Sequence, residues 1–481
     1  MQLKGVVDKE KNRVLFVESD EDFVDVLFSF LTMPMGAIVK LMNIDQQATR
    51  VGCMNNLYAS IEKLDVRHLR TEACRTMLLH PRNGAATLCK ELKLQIHDTE
   101  SPWLFCCGFP NYGSKCKLLS QYEGTICDCG EGMNYLATFV ESRKKDEVSD
   151  SQGGVFVKRL ARVMISDILQ VMPPSTTLSF SLLSKLGVID VTATEERTFD
   201  IGVDQVLNLL KSSLVSKTPL TDILLKPKEI PELSKETSKQ HSFSLKTKSG
   251  EYTSKGKDKI LIKLMLSKSN KKVCFAEVGE DFVDLFFSFL TVPLGYILKE
   301  MNGAASKGCI HHLYNSIKCL DVEKYFESND HKEILMSPKI APSFGYENQL
   351  LRVETVHPEY YYVPDDFYHY FSAVKPTSGI AIPLSVKDPK LSNKIAKTCG
   401  GYVMGPAMFT VTDDLIVTPI SPISGVSILR KLKVPLNNVE ERSVYVGSGE
   451  AVHLMVNSFI SESALTDTFI SQVLKVPKQE S

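Results

Sequence analysis

No charge of one sign dominates this 481-residue chain: 56 basic residues stand against 57 acidic, a formal net charge of -1. Such balance gives no electrostatic ground for a large nucleic-acid or membrane surface and leaves room only for a local basic patch. Long apolar runs are missing too. The most lipid-like stretch, Val26 to Val39, is 14 residues long and interrupted by Pro34 and Gly36. It falls short of the ~20 residues a bilayer span needs, so a buried core helix is expected there. There is no Asn-x-Ser/Thr sequon, and the N-terminus Met1-Gln2-Leu3-Lys4-Gly5 enters a strand-like pattern without an apolar signal core. A cytoplasmic or nuclear protein with no signal peptide and no transmembrane segment is expected.

Catalytic signatures are also lacking. There is no phosphate loop, nucleophile elbow or H-E-x-x-H pair, and Gly447-Ser448-Gly449 is too short for a dinucleotide fingerprint. His311-His312 face no histidine at the matching place of the repeat described below, where Asn55 and Met54 stand. No catalytic or cofactor-binding residue is assigned on these grounds.

What the chain does contain is itself, twice. Glu18 to Asn43 and Glu277 to Asn302 are identical at 17 of 26 positions without a gap. The match continues through Gly52-Cys53 with Gly308-Cys309, Leu64-Asp65-Val66 with Leu320-Asp321-Val322, and Gly153-Gly154 with Gly400-Gly401. It ends with Glu195-Glu196-Arg197 against Glu440-Glu441-Arg442, then Leu220-Thr221-Asp222 against Leu465-Thr466-Asp467. A repeat of this length predicts two homologous modules. The first covers 1–225, with lobes at about 1–140 and 153–225, and the second covers 260–476, with lobes at about 260–384 and 400–476. Residues 226–259, with nine lysines and nine Ser/Thr, read as a flexible linker.

Each copy opens with a hairpin pattern, Leu3–Val7 with Val14–Val17 and Ile260–Leu266 with Val273–Ala276. A mostly buried helix follows, marked by a narrow polar stripe: Asp22, Asp25, Ser29 and Thr32, repeated as Asp281, Asp284, Ser288 and Thr291. Ser19 and Asp22 are placed like a capping box, and Pro34 and Pro293 end or kink the helix. Leu57, Tyr58, Ile61 and Leu64 predict a second amphipathic helix, its Gly-Cys start permitting close packing. Hairpins and helices mix without regular βαβ alternation. The expected class is α+β, each module having an N-terminal β-hairpin, buried helices, a loop-rich cysteine hairpin and a smaller C-terminal α+β lobe.

Twelve cysteines do not form a disulfide framework, since five fall between Cys106 and Cys129. Cys107, Cys116, Cys127 and Cys129 offer four thiolates within 23 residues, in a loop-forming setting with Gly130 at the tight turn. That set predicts one structural zinc and no other cofactor, with Cys106 as an alternative first ligand. Uncoordinated thiols are the competing expectation. The second copy has aromatics such as Tyr361 and Tyr370 at the matching place and no cysteine, which suits a structural role. Asp413-Asp414 could hold a cation as a carboxylate pair, but a turn or helix-capping role is favoured, because Ser166-Asp167 stands opposite with only the second acid. Thr221 and Thr466 are expected as caps of a final helix.

The blocks DFVDVLFSFLTMPMGAIVKLMN and DFVDLFFSFLTVPLGYILKEMN, the loop ending Cys127-Asp128-Cys129-Gly130, Val411 to Leu415 and the closing Leu-Thr-Asp together resemble one plant family. It is known only as a domain of unknown function, number 674 (DUF674), and its members often carry the unit in tandem. The resemblance covers nearly the whole chain except the linker. It implies a plant source and supplies no activity, substrate or catalytic residue. The chain departs from the family pattern by lacking the loop cysteines in its second copy and the first aspartate of the Val411–Leu415 block in its first. The expected function is a non-enzymatic protein-interaction or scaffold protein with a structural zinc loop. The alternatives are an enzyme with an inter-lobe site near Asp414, or nucleic-acid binding through the cysteine loop and basic linker. Protein partners are expected, with no strong nucleic-acid signal and no membrane span.

Overall fold

The computed structural model describes residues 1–43, 50–96, 104–108, 116–137, 139, 154–159, 162–225, 259–303, 307–346, 349–364, 370–376, 379–391 and 400–475. The expected linker lies outside them but for its last residue.

Leu3, Gly5 and Val7 face inward on Gln2–Asp8 (β1), the period of two that makes a strand with one buried face. It pairs with Arg13–Ser19 (β2) as the expected hairpin. Five short strands follow: Leu104–Cys106 (β3), Leu118–Leu119 (β4), Thr125–Ile126 (β5), Gly132–Met133 (β6) and Tyr135–Ala137 (β7). Val163–Ser166 (β8), Val171–Met172 (β9) and Thr194–Asp200 (β10) return to the opening hairpin. The antiparallel sheet has the order β10-β1-β2-β8-β9. Segments expected in separate N- and C-terminal lobes thus share one sheet.

The second half runs Ile260–Ser267 (β11), Val273–Gly279 (β12), Tyr360–Val363 (β13), Tyr370–Ser372 (β14) and Ile382–Val386 (β15). Met408–Thr412 (β16), Val417–Pro419 (β17) and Val439–Val446 (β18) follow, in a sheet ordered β18-β11-β12-β16-β17. Each strand thereby has its counterpart in the first sheet.

The first half's helices are Glu21–Ser29 (α1), Met35–Asn43 (α2), Met54–Lys63 (α3), Glu72–Leu79 (α4), Ala86–Cys89 (α5), Thr176–Lys185 (α6), Val203–Val215 (α7) and Pro219–Leu224 (α8). The second half has Glu280–Ser288 (α9), Leu294–Glu300 (α10), Ile310–Cys319 (α11), Val322–Tyr325 (α12), Asn329–Met336 (α13), Pro422–Leu432 (α14), Ser448–Ile460 (α15) and Ala464–Lys475 (α16). The class is α+β. Among the described residues no helix is long and apolar enough to cross a membrane.

One expectation about α1 changes. Its N-cap is Asp20 and no side chain caps it; the Ser19 hydroxyl donates to Asp20 O instead, so there is no capping box. The polar stripe is largely dry: Asp25, Ser29 and Thr32 are buried, and only Asp22 reaches solvent, where it pairs with Lys93.

The halves interlock. A 3-10 turn ends α1 and α9, and the two proline bends beyond it meet. There Met35 N–H donates to Val292 O (3.0 Å) and Leu294 N–H to Met33 O (2.9 Å). Around this approximate two-fold, each half lends a helix to the other. Cys53 N–H, before α3, donates to Ser458 O at the end of α15 (2.8 Å). In the reciprocal contact Cys309 N–H, before α11, donates to Ser213 O of α7 (2.8 Å). Val417 N–H of β17 donates to Ser60 Oγ of α3, and Val171 N–H of β9 to Ser316 Oγ of α11, both at 2.9 Å. Gly52 and Gly308 make this approach feasible, since a Cβ at either would overlap the Ser458 or Ser213 carbonyl oxygen. The apolar core runs unbroken through both halves.

Candidate metal centre

β3 and β7 pair, and Phe105 exchanges backbone hydrogen bonds with Ser120 just past β4. In the second half β13 pairs with β14 and with β15. Two parallel joins link these groups: β4 with β15, and Phe139 with Phe371. The six segments close into a ring, β14-β13-β15-β4-β3-β7, half from each copy. Its interior holds Leu104, Cys106, Leu119 and Phe371, with Phe139 against Tyr360 and Phe371.

The cysteine quartet sits where this ring opens. Strand alternation decides between the adjacent cysteines at the end of β3. Cys106 points into the ring, its thiol donating to Gly108 O (3.2 Å) and Tyr135 O (3.4 Å), while Cys107 belongs to the cluster. Cys116 precedes β4. Cys127 and Cys129 lie on the turn between β5 and β6, closed by Gly130 N–H to Cys127 O (2.9 Å), with Gly130 at φ +96°. That left-handed angle is why glycine follows the pair. The four Sγ atoms lie within 4.8 Å of one another. Zinc–thiolate bonds of about 2.3 Å put tetrahedral sulfurs about 3.8 Å apart, so an ion needs only a small contraction.

Electrostatics agree with that geometry. Burial pushes the Cys107 thiol well up and that of Cys116 to about 11, whereas a hydrogen bond from Glu131 N–H draws Cys129 down. Four thiols this close do not all ionise unless a cation lies among them. Cys127 is buried and Cys129 exposed, so the cluster is reached from one side. Lys387, next to β15, forms an ion pair with Asp128 between the two turn cysteines, and its N–H donates to Leu119 O (2.7 Å). The first half's cysteines therefore rest on the second half's strand. All eleven described cysteines are free thiols.

The family described as a protein of unknown function, DUF674, matches residues 1–449. The chain belongs to the DUF674 family. No curated protein and no solved structure matches it, so function has to be sought in the geometry of the chain.

Backbone N–H groups engage the buried acids of the polar stripe. Asp25 Oδ1 accepts from Phe156 and Val157 N–H (2.9 Å each) and Oδ2 from Val155 N–H (2.5 Å). Asp284 Oδ1 accepts from Tyr402 (2.7 Å) and Val403 (2.8 Å). Burial pushes these carboxyls up to about 6 and about 7. The second glycine of each repeated pair is explained here: a Cβ on Gly154 would lie 2.7 Å from Asp25 Oδ2, and one on Gly401 would overlap Asp284 Oδ2.

Asp413 accepts from Thr466 N–H (2.7 Å) and Oγ1 (2.8 Å), and Asp167 accepts from Thr221 N–H (2.9 Å) and Oγ1 (2.8 Å). This corrects the pairing of the two copies: Asp413 matches Asp167, so the first acid persists and Ile168 replaces Asp414. Asp413 fastens the last helix, as favoured. Thr466 and Thr221 lie inside α16 and α8, which begin at Ala464 and Pro219, and are not their caps. Asp414 is engaged by Thr412 Oγ1 (2.5 Å) and Asn56 Nδ2 (3.2 Å). His312 matches Asn56, since each carbonyl accepts from the serine four residues on.

One buried cation escaped sequence reasoning. Lys390 Nζ is held by Ser343 O, Gly345 O (3.1 Å) and Asp388 Oδ2 (3.0 Å), over the Tyr402 ring. Nothing about an isolated lysine before residues 392–399 signals this. A cavity of about 370 Å³ lies between β9 and α11, lined by Gln170, Met172, His312, Cys319 and Lys324 among others. None of the acids that burial pushes up faces it, and Asp414 does not line it.

Proposed function

We propose that this protein is a non-enzymatic, protein-binding scaffold with one structural zinc on Cys107, Cys116, Cys127 and Cys129 of its first half, set beside the strand join to the second half. The observation that carries this is the gathering of four Sγ atoms beside the β4–β15 join. Four thiolates favour zinc over oxygen-seeking cations and leave it no open position for a substrate. The buried Asp25, Asp284, Asp167 and Asp413 are all occupied with backbone N–H groups, which argues against acid–base chemistry. A protein partner finds apolar side chains in water on the outer side of the first half, where Phe180 is 65% and Ile189 99% exposed.

The test is metal analysis of the full chain purified without added metal, beside a partner pull-down. About one zinc per chain is expected, retained in Cys106→Ser and lost in Cys107→Ser and in Cys127→Ser/Cys129→Ser. A metal-free wild type, or loss of metal only in Cys106→Ser, removes the zinc assignment. Phe180→Asn/Ile189→Asn is expected to release partners that wild type retains; an unchanged set of bound proteins contradicts the binding role of that face.

A further inference from the structure

The outer helices α6 and α14 occupy matching places on the two sheets but carry different surfaces. Residues 420–438, spanning α14, contain no acid and three exposed cations, Arg430, Lys431 and Lys433. The β11–β12 turn, 267–272, adds exposed Lys268, Lys271 and Lys272, again without an acid. Hydrogen bonds hold the two segments together: Ser269 N–H donates to Asn438 Oδ1 (3.0 Å) and Lys268 N–H to Asn438 O (2.9 Å). The next acids along the chain are already paired, Glu440 with Arg442 and Glu441 with Lys263. Beside the cations, Ile423 is 78% and Leu436 76% exposed, and Val426 and Leu432 are exposed too.

The backbone supplies an independent sign. Lys433 ends α14 in the left-handed region at φ +55°, with Val434 N–H donating to Leu429 O (3.0 Å). Gly187 ends α6 in the same way at φ +76°, with Val188 N–H donating to Leu183 O (3.0 Å). Glycine adopts that angle freely and lysine does so at a cost. The second half accepts the strain and gains a cation. Attraction of lysine to the negative end of the helix would not call for it, because Arg430 and Lys431 already lie in the last turn.

From these observations we infer that the α14 face docks on an anionic lipid bilayer. Cations interleaved with aliphatic side chains on a short surface helix match a headgroup layer, with the apolar residues entering the acyl boundary. A single-stranded nucleic acid calls instead for stacking rings among the cations, and the interleaved residues here are aliphatic. The first half offers a built-in control, since its counterpart face sets the acids Glu10 and Asp190 against Lys9 and Lys11 of the turn and has only Lys185 on the helix.

The experiment is co-sedimentation of the full chain with vesicles of phosphatidylserine and phosphatidylcholine, against phosphatidylcholine alone, at about 0.1 M salt. Binding to the anionic vesicles only is expected, falling about fivefold for each cation removed and thus about 25-fold in Lys431→Gln/Lys433→Gln. Lys433→Gly separates docking from folding, because it should raise the unfolding midpoint while weakening vesicle binding about fivefold. Ile423→Asn/Leu436→Asn should also lose binding, and Phe180→Asn/Ile189→Asn should keep it. The proposal is overturned by no binding to anionic vesicles, or by equal binding of the Lys431→Gln/Lys433→Gln protein. It is equally overturned if a soluble polyanion such as heparin binds as tightly and Ile423→Asn/Leu436→Asn changes nothing, which assigns the face to a soluble acidic partner.

Discussion

Replacing Asp284 by Asn tests how the interior is held. Both backbone donors at this site, Tyr402 N–H and Val403 N–H, address the same oxygen, Oδ1. An asparagine that keeps its carbonyl there preserves both bonds at equal volume. What it removes is the cost of a buried charge. Burial raises the folded carboxyl to about 7 from an ordinary value of 3.8, a difference worth roughly 4 kcal/mol. A carboxyl that holds its proton more tightly when folded stabilises the protein fully below about pH 4. It loses that contribution as pH rises through 7, and asparagine does not titrate. Asp284→Asn is therefore expected to be more stable than wild type at pH 8, with the advantage shrinking by about 2.5 kcal/mol on going to pH 5.

Asp284→Ala leaves two buried N–H groups unpaired and should be less stable than Asp284→Asn by about 1–3 kcal/mol for each, at every pH. At Asp25 both oxygens accept, so Asn there turns an NH₂ toward a donor and should gain less than at 284. Urea unfolding of the four proteins in matched buffers from pH 5 to 8 measures all of this. If Asp284→Asn is as destabilised as Asp284→Ala, or its difference from wild type does not change with pH, the account of the clamp is wrong.

Other outcomes follow from the interlock. Gly308→Ala drives a methyl group into the Ser213 carbonyl and should lower stability by about 1–3 kcal/mol, read from the urea midpoint. Gly279→Ala, with nothing within 4 Å of the new carbon, should stay within about 0.5 kcal/mol. Residues 1–225 and 259–481 made as separate chains should co-purify when expressed together. A monomeric half that unfolds cooperatively by itself would contradict the shared core.

Local features were legible in the sequence because their physics is local. The β1–β2 and β11–β12 hairpins follow from paired β-prone runs parted by a short polar stretch, and α3 and α11 from apolar spacing. The cysteine quartet is readable from thiol spacing among glycines, but choosing Cys107 over Cys106 needs the direction in which β3 faces. The link from Asp284 to Gly401 was not legible: both residues repeat in register, yet 117 positions separate them and only the fold brings them together. The Asp413–Asp414 pair misled for a related reason. Asp414 belongs to a contact with Asn56 of the other half, so its replacement by Ile168 alters one crossing and leaves the helix-fastening aspartate in place.

The crossings also bear on why one chain carries both halves. Gly52 and Gly308, Ser60 and Ser316, and Asp25 and Asp284 each make the same contact in the two halves, and the shared core tolerates little change at such places. Outward positions are under no such constraint. Two identical subunits would have to present every surface twice, whereas two joined halves can differ wherever the interlock is not touched. The differences fall there: a thiol cluster on one half of the ring against aromatics on the other, and Gly187 against a strained Lys433 at the helix ends. Joining the halves lets one interior, built twice, display two unlike faces. If that is the use of the arrangement, substitutions on the α14 face should leave the partners of the α6 face untouched, and the reverse should hold as well.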